Sequence, residues 1–489
     1  MQNLLAVSAF TVFQALCSTV IALVFGVAAA FFTANRSFPE KKILLSFSSV
    51  PFCIPTLLIA LGFVSFFGLS GTLNSFLKSV FSLSKPPVTF LYSFFGIIIA
   101  QGFYNFPLVM AGVHDAWSLI PSEQENAARL LGAGELRIFR TVTVYQLLPA
   151  IASSCMLVFL YCFFSFMIIL LFGGVGLSTL EVEIYKTARA SLDFSQAFRL
   201  ALCETLIAAL FVAIYSKIEQ NSSSSRGISF YRKLSDERIR TFHEKIFAFI
   251  LFTFIILFFI APVLSILYNA LSSGKSLFTF QTFLHVFKMR GFAPSLLTTV
   301  LVSALTAFFS VSAAFLYASF VRSVDFYGKN IALRTFPMIP MCVSGVVTGL
   351  VLILLVKKGS LFHLVFAQTF LFWPLAFRQI YASLSKISDE TVEAAKMLSS
   401  NPLHLVLRIY LPSCTRGILS AAGFCFAVSA GDTTLPLVLS IPKLNTLSLF
   451  TYRLASSYRF HEACAAGVVL GLLCAAVFAT GNRLKNSGE

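Results

Sequence analysis

Long apolar runs separated by short polar and basic stretches organise this chain. A run of about 20 apolar residues is long enough to cross a bilayer as a helix. Such runs cover about 4–32, 43–67, 90–111, 147–172 and 194–215. After a polar interval they resume at about 246–268, 294–320, 331–356, 361–380, 418–439 and 463–480. The pattern predicts five spans and then six. All should be helical, because a lone segment in lipid must satisfy its backbone polar groups internally. The first run lacks a small-residue cleavage site followed by a mature domain, so it reads as a retained helix.

Two charged stretches stand out between these runs. The later one contains Asp389-Glu390-Thr391-Val392-Glu393-Ala394-Ala395-Lys396-Met397-Leu398-Ser399 and continues to Ile409-Tyr410-Leu411-Pro412. Its alanines with Glu393, Lys396 and Met397 favour a short helix. The earlier one contains Asn126-Ala127-Ala128-Arg129-Leu130-Leu131-Gly132, then Val142-Thr143-Val144-Tyr145. The two are 267 positions apart (393 − 126). The same offset pairs Ala100-Gln101 with Ala367-Gln368, Pro107-Leu108 with Pro374-Leu375, Thr179-Leu180 with Thr446-Leu447, and Tyr185 with Tyr452. A single gap-free offset over that length reads as an internal duplication.

Glu-Ala-Ala, three residues, a small residue, nine residues and Ile-x-Leu-Pro resembles the coupling loop of ABC-importer permeases. In that family the loop is a cytoplasmic helix that docks into a cleft of the ATPase subunit. The resemblance implies ATPase-coupling roles for Glu393, Ala394, Ala395, Ser399 (where the family has Gly) and Pro412. In the earlier copy it implies them for Asn126, Ala127, Ala128 and Gly132. That copy departs from the pattern at Asn126, in place of Glu, and at Tyr145, in place of Pro; Glu125 is the candidate substitute, one position early. Phe172-Gly173-Gly174 and Ser178-Thr179-Leu180-Glu181-Val182-Glu183-Ile184-Tyr185 look most like the thiamine branch of the fused permeases. So do Leu447-Ser448-Leu449-Phe450-Thr451-Tyr452 and Ser457-Tyr458-Arg459.

Composition agrees with a membrane protein. Of 489 residues, 57% are hydrophobic and 11% charged, against about a quarter charged in soluble proteins; mean hydropathy is +0.86. The net charge of +16 is explained by Lys and Arg in cytoplasmic loops rather than by nucleic-acid binding. Ten cysteines and six histidines are scattered without ligand spacing, so neither a disulfide framework nor a metal site is indicated. No Gly-x-x-x-x-Gly-Lys-Ser/Thr loop, Gly-x-Ser-x-Gly or His-Glu-x-x-His motif is present, so ATP hydrolysis by this chain is not expected.

The expected organisation is a first half at 1–216 with its coupling loop near 113–146, a Ser-rich basic linker at 217–245, and a second half at 246–489 with its coupling loop near 384–413. With basic loops inside, both coupling loops are cytoplasmic, Met1 lies outside, and so does the loop at 269–291. Its Lys275, Lys288 and Arg290 run against that charge rule. Six spans separate the coupling loops, so the repeats are parallel. The extra span of the second half leaves two readings: a first half without its leading helix, or a start upstream of Met1.

The resemblance implies an all-α polytopic membrane protein of the type I ABC-importer permease fold, with two parallel-repeat halves and about 11 transmembrane helices. It implies a bacterial cytoplasmic (inner) membrane location, surrounding lipid, two copies of an ABC ATPase that binds the ATP, and an extracytoplasmic substrate-binding protein. No cofactor is expected in this chain. Thiamine, or a phosphate ester of it, is the expected substrate, with ferric iron as the alternative; a secondary transporter with parallel repeats is the rival class. Within an apolar span, Asp432 is a candidate for the translocation path, since a carboxylate in lipid needs a wet cavity or a partner. At the fixed offset it aligns with Ser165. The plainer reading is an Asp bonded to the Thr433 or Thr434 backbone at a helix break beside Gly431.

Overall fold

The computed structural model describes residues 4–486 except 40, 47–53, 175, 225–240, 273–278, 326–330, 357–358, 399–401 and 443. The basic cluster of the linker, Lys275 and Ser399 therefore lie outside the described residues. Ten helices among the described residues are long and apolar enough to cross a membrane.

In chain order the elements that matter here are α1 (Leu4–Asn35), α2 (Thr56–Phe67), α3 (Phe94–Trp117), α4 (Ser122–Leu130), α5 (Val144–Phe163), α6 (Phe166–Phe172), α7 (Leu180–Arg189) and α8 (Phe194–Ser224). They continue with α9 (Phe242–Leu271), then α10 (Phe292–Asp325), α11 (Gly345–Leu355), α12 (Leu361–Leu384), α13 (Asp389–Leu398), α14 (Leu411–Gly431), α15 (Thr434–Leu439), α16 (Leu447–Ser456) and α17 (Phe460–Asn486).

Three of the expected continuous spans are broken. The one at 331–356 is a pair, Ala332–Cys342 and Gly345–Leu355, bent by 78°. Pro337 and Pro340 withhold backbone donors in its first part, and the Ser344 hydroxyl then caps α11 by accepting from Val347 N at 3.2 Å. The spans at 147–172 and 418–439 break at Ser165 and Asp432, where α5 and α14 end and the short helices α6 and α15 begin.

The duplication is visible element by element. Adding 267 to the bounds of α3 (94 and 117) gives those of α12, and α7 maps onto α16 in the same way. Even the five-residue π turns, Phe139–Thr143 and Val406–Tyr410, correspond. The first two helices follow a different offset, 288 positions (299 − 11). Thr11 on α1 accepts from Leu180 N at 3.0 Å, and Thr299 on α10 accepts from Leu447 N at 2.7 Å. The change of offset arises between Phe67 and Phe94, a much longer connection than the one between Leu355 and Leu361.

The chain forms two compact units that cross the sequence halves. One contains Met1–Pro51, Gly62–Glu183 and Leu202–Ser265; the other contains Phe52–Leu61, Ile184–Ala201 and Ile266–Glu489. Most of α9, the leading span of the second half, thus belongs to the unit built from the first. There Phe254 packs on Phe25, and Phe258 stacks on Phe103 at 4.9 Å between ring centroids. In the first unit α1 packs on α3 through a stripe of small residues, Ala15, Ser18, Ala22 and Ala29, with Gly26 between. A Cβ at Gly26 would lie 2.5 Å from Val109 Cβ. Small side chains let helices approach closely where lipid supplies no hydrophobic drive. In the second unit, Ala314, Ala318, Phe377, Ile380, Ala421 and Phe424 on α10, α12 and α14 form one buried cluster.

Candidate coupling and translocation sites

The later charged stretch folds as expected locally. Asp389 and Glu390 occupy the first turn of α13 and Lys396 its last, the arrangement that suits a helix dipole. Val392 is fully buried in the cluster under the helix. Glu393, Ala394 and Met397 are exposed, and Ala395 is half-buried. The outward face is thus small at Ala394, with the long Met397 side chain one turn on. Pro412, exposed, directly follows the π turn Val406–Tyr410 within the helical run Leu403–Gly431, where it supplies no backbone donor.

α13 is tied to α10 at its start. Arg322 donates to Asp389 Oδ1 at 2.6 Å and to the Ile387 carbonyl at 2.9 Å. Beside it, Asp325 accepts from Tyr381 Oη at 2.6 Å and from Arg334 Nε at 2.9 Å. Asp389 opens the charged stretch in the sequence, but none of these pairings was read from it. The available signal was the recurrence of charge at the end of a span facing the charged loop.

The earlier copy is built differently. On α4, Asn126 and Ala127 are exposed and Ala128 is half-buried. Asn126 Oδ1 accepts from Arg129 at 3.0 Å. Glu125 is buried and accepts from Thr143 Oγ1 at 3.1 Å. It occupies the place of Val392 and points inward, so it does not present a carboxylate where Glu393 does. Gly132 follows the helix at φ +81° with open space around its Cα, and Ala133 N donates to Ala128 O at 3.1 Å. This left-handed stop is where glycine is favoured.

In the second unit, Asp432 ends α14 in an extended conformation, and its carboxylate opens α15. Oδ1 accepts from Thr434 N at 2.9 Å and Leu435 N at 3.4 Å; Oδ2 accepts from Gln368 Nε2 at 3.1 Å. The backbone carbonyl of Asp432 accepts from Ser448 at 2.7 Å. Gln368 is itself held, accepting from Ser429 at 2.7 Å and Thr306 at 3.2 Å. The carboxylate therefore acts as an N-cap, and Asp432 is one member of a polar network drawn from α10, α12, α14 and α16. In the first unit Gln101 accepts from Ser18 at 2.8 Å, the counterpart of the Thr306–Gln368 bond. Ser165 starts α6 without a side-chain cap. An intramembrane glutamine repeated at the duplication offset was the available signal for this network.

Among the described residues no group of His, Cys, Asp and Glu is arranged to hold a metal ion.

Residues 22–224 and 329–485 match the family model described as binding-protein-dependent transport system inner membrane component. The chain is 26% identical to the thiamine transport system permease protein ThiP of Haemophilus influenzae, covering 96% of this chain and 87% of that protein. It is 24% identical to the protein of the same description from Brucella abortus, over 98% and 87%. A putative 2-aminoethylphosphonate transport system permease protein, PhnU of Salmonella typhi, is 34% identical over 36% of this chain and 62% of its own length. A chain from the crystal structure of a bacterial alginate ABC transporter in complex with alginate pentasaccharide-bound periplasmic protein superposes on 50% of this chain, with a TM-score of 0.41 and 17% identity.

Proposed function

This chain belongs to the family of binding-protein-dependent transport system inner membrane components, and from that premise we propose that it moves thiamine, or a phosphate ester of it, into the bacterial cytoplasm. It is a multi-pass ABC-importer permease with both family repeats in one polypeptide. Two copies of a separate ATPase hold the ATP and grip α4 and α13, and an extracytoplasmic protein delivers the substrate. The observation that carries the substrate is the likeness to thiamine permeases along nearly the whole length of both chains. Coupling would work by differential stabilisation: the ATPase binds two arrangements of the coupling helices unequally, and the spans follow.

Uptake of labelled thiamine by cells carrying the transporter, against cells lacking this chain, tests the substrate. Saturable uptake lost with the chain is expected. Uptake of 2-aminoethylphosphonate or ferric iron in its place would overturn the assignment. Asp432→Asn tests whether the charge belongs to the path. It keeps the bonds to Thr434 and Leu435 while removing the charge, and slowed uptake of the cation with normal membrane insertion is expected. Uptake at the parental rate would leave Asp432 as a helix cap alone.

A further inference from the structure

Helix α15 is six residues long, so most of its backbone polar groups lack partners inside it. Asp432 satisfies the first N–H groups. At the other end the Val438 carbonyl accepts from Arg189, from Nε at 2.8 Å and from a second guanidinium nitrogen. Arg189 arrives from α7, which begins in the first repeat, within the segment 184–201 that folds into the second unit. A carboxylate at the start and a guanidinium at the end thus hold a short apolar helix whose Leu435, Pro436, Leu437 and Val438 are buried. The matching helix α6 has neither charge: Ser165 stands at the position of Asp432, and Ser456 at that of Arg189.

We propose that Arg189 is a positioning residue for transport, clamping α15 in its closed place, and that it must release Val438 before the break at Asp432 and Thr433 meets water. A charged donor on a part-buried carbonyl is stronger than a neutral hydrogen bond. The clamp therefore sets how often the segment opens, and it ties a residue of one repeat to the broken span of the other. This rests on the permease reading for its role in transport, but the clamp itself is testable without an ATPase.

The experiment follows modification of Thr433→Cys by a small water-soluble thiol reagent in membranes holding the full chain, with the labelling of the parent subtracted. Thr433 is 2% exposed, so the introduced thiol reacts only when the segment moves. Arg189→Gln in that background is expected to raise the rate about tenfold, and Arg189→Lys, which keeps charge and one donor, by less. Ser319→Cys, 3% exposed on α10 of the same unit, should label no faster in either variant. Unchanged labelling of Thr433→Cys in Arg189→Gln would overturn the clamp, and so would equal acceleration at Ser319→Cys. Should Arg189→Gln not reach the membrane, unchanged labelling in Arg189→Lys overturns it too. Failure of thiamine uptake with the labelling pattern intact would count against the substrate and leave the clamp standing.

Discussion

Glu125 and Val392 occupy the same position in two copies of one short helix, and both are buried, yet one is a carboxylate and the other a hydrocarbon. The difference extends along each charged stretch. In the later copy Val392 joins an apolar cluster, and α13 is held from its start by Arg322 through Asp389 and the Ile387 carbonyl. In the earlier copy Glu125 is held from within by Thr143. The positions matching Arg322 and Asp389 are Ala34 and Ser122, so that tie has no counterpart. At the same ends of their helices, His114 faces Thr33 at 3.1 Å where Tyr381 bonds Asp325. Two loops with one backbone plan are therefore fastened to their units by different chemistry. The lesson is that a repeat preserves path and packing register, while the polar fastenings drift separately in each copy.

The comparison breaks most readily at Ala394. Its exposed, small side chain is where a partner can approach α13, so Ala394→Trp should overfill the contact. Thiamine uptake should fall roughly 100-fold, since a few kcal/mol of misfit suffices, with membrane levels unchanged. Near-normal uptake with the ATPase still co-purifying would remove α13 from the coupling site. Arg322→Ala comes next. It removes one bond to a carboxylate and one to a carbonyl from a mostly buried guanidinium, and a loss of about tenfold in uptake is expected. Asp389→Ala should cost less, because the Asp389 side chain is 72% exposed and solvent screens its share. Equal losses would mean that the ion pair, not the carbonyl bond, does the fastening.

Smaller effects separate the copies. Ala128→Trp should reduce uptake by less than Ala395→Trp, since the earlier loop lacks the family's Glu and Pro; matched losses in parallel assays would show that those departures carry no weight. Smallest of all is Glu125→Gln, which keeps an acceptor for Thr143 and should change uptake by no more than about twofold. A large loss there would mean that the buried charge itself matters in the earlier copy.

Much of this was legible along the chain. Apolar run length predicts spans because lipid leaves a lone segment no structure but a helix. The 267-residue offset predicts paired helices, because a duplicated sequence repeats its own propensities, and α3 with α12 and α7 with α16 correspond to the residue. Polar residues inside apolar runs, such as Gln101, Gln368 and Asp432, announce themselves as needing partners. Who those partners are was decided only in three dimensions. The shift to an offset of 288 hides the match of Thr11 with Thr299 from any single alignment register. The inward turn of Glu125 depends on where Thr143 lies across the loop. Likewise the bond from Arg189 to Val438 spans 249 positions and depends on residues 184–201 folding with the second unit rather than the first. Local pattern reflects the cost of exposing a segment to lipid, whereas a hydrogen bond between distant residues depends on which helices pack, and that is set by the whole unit at once.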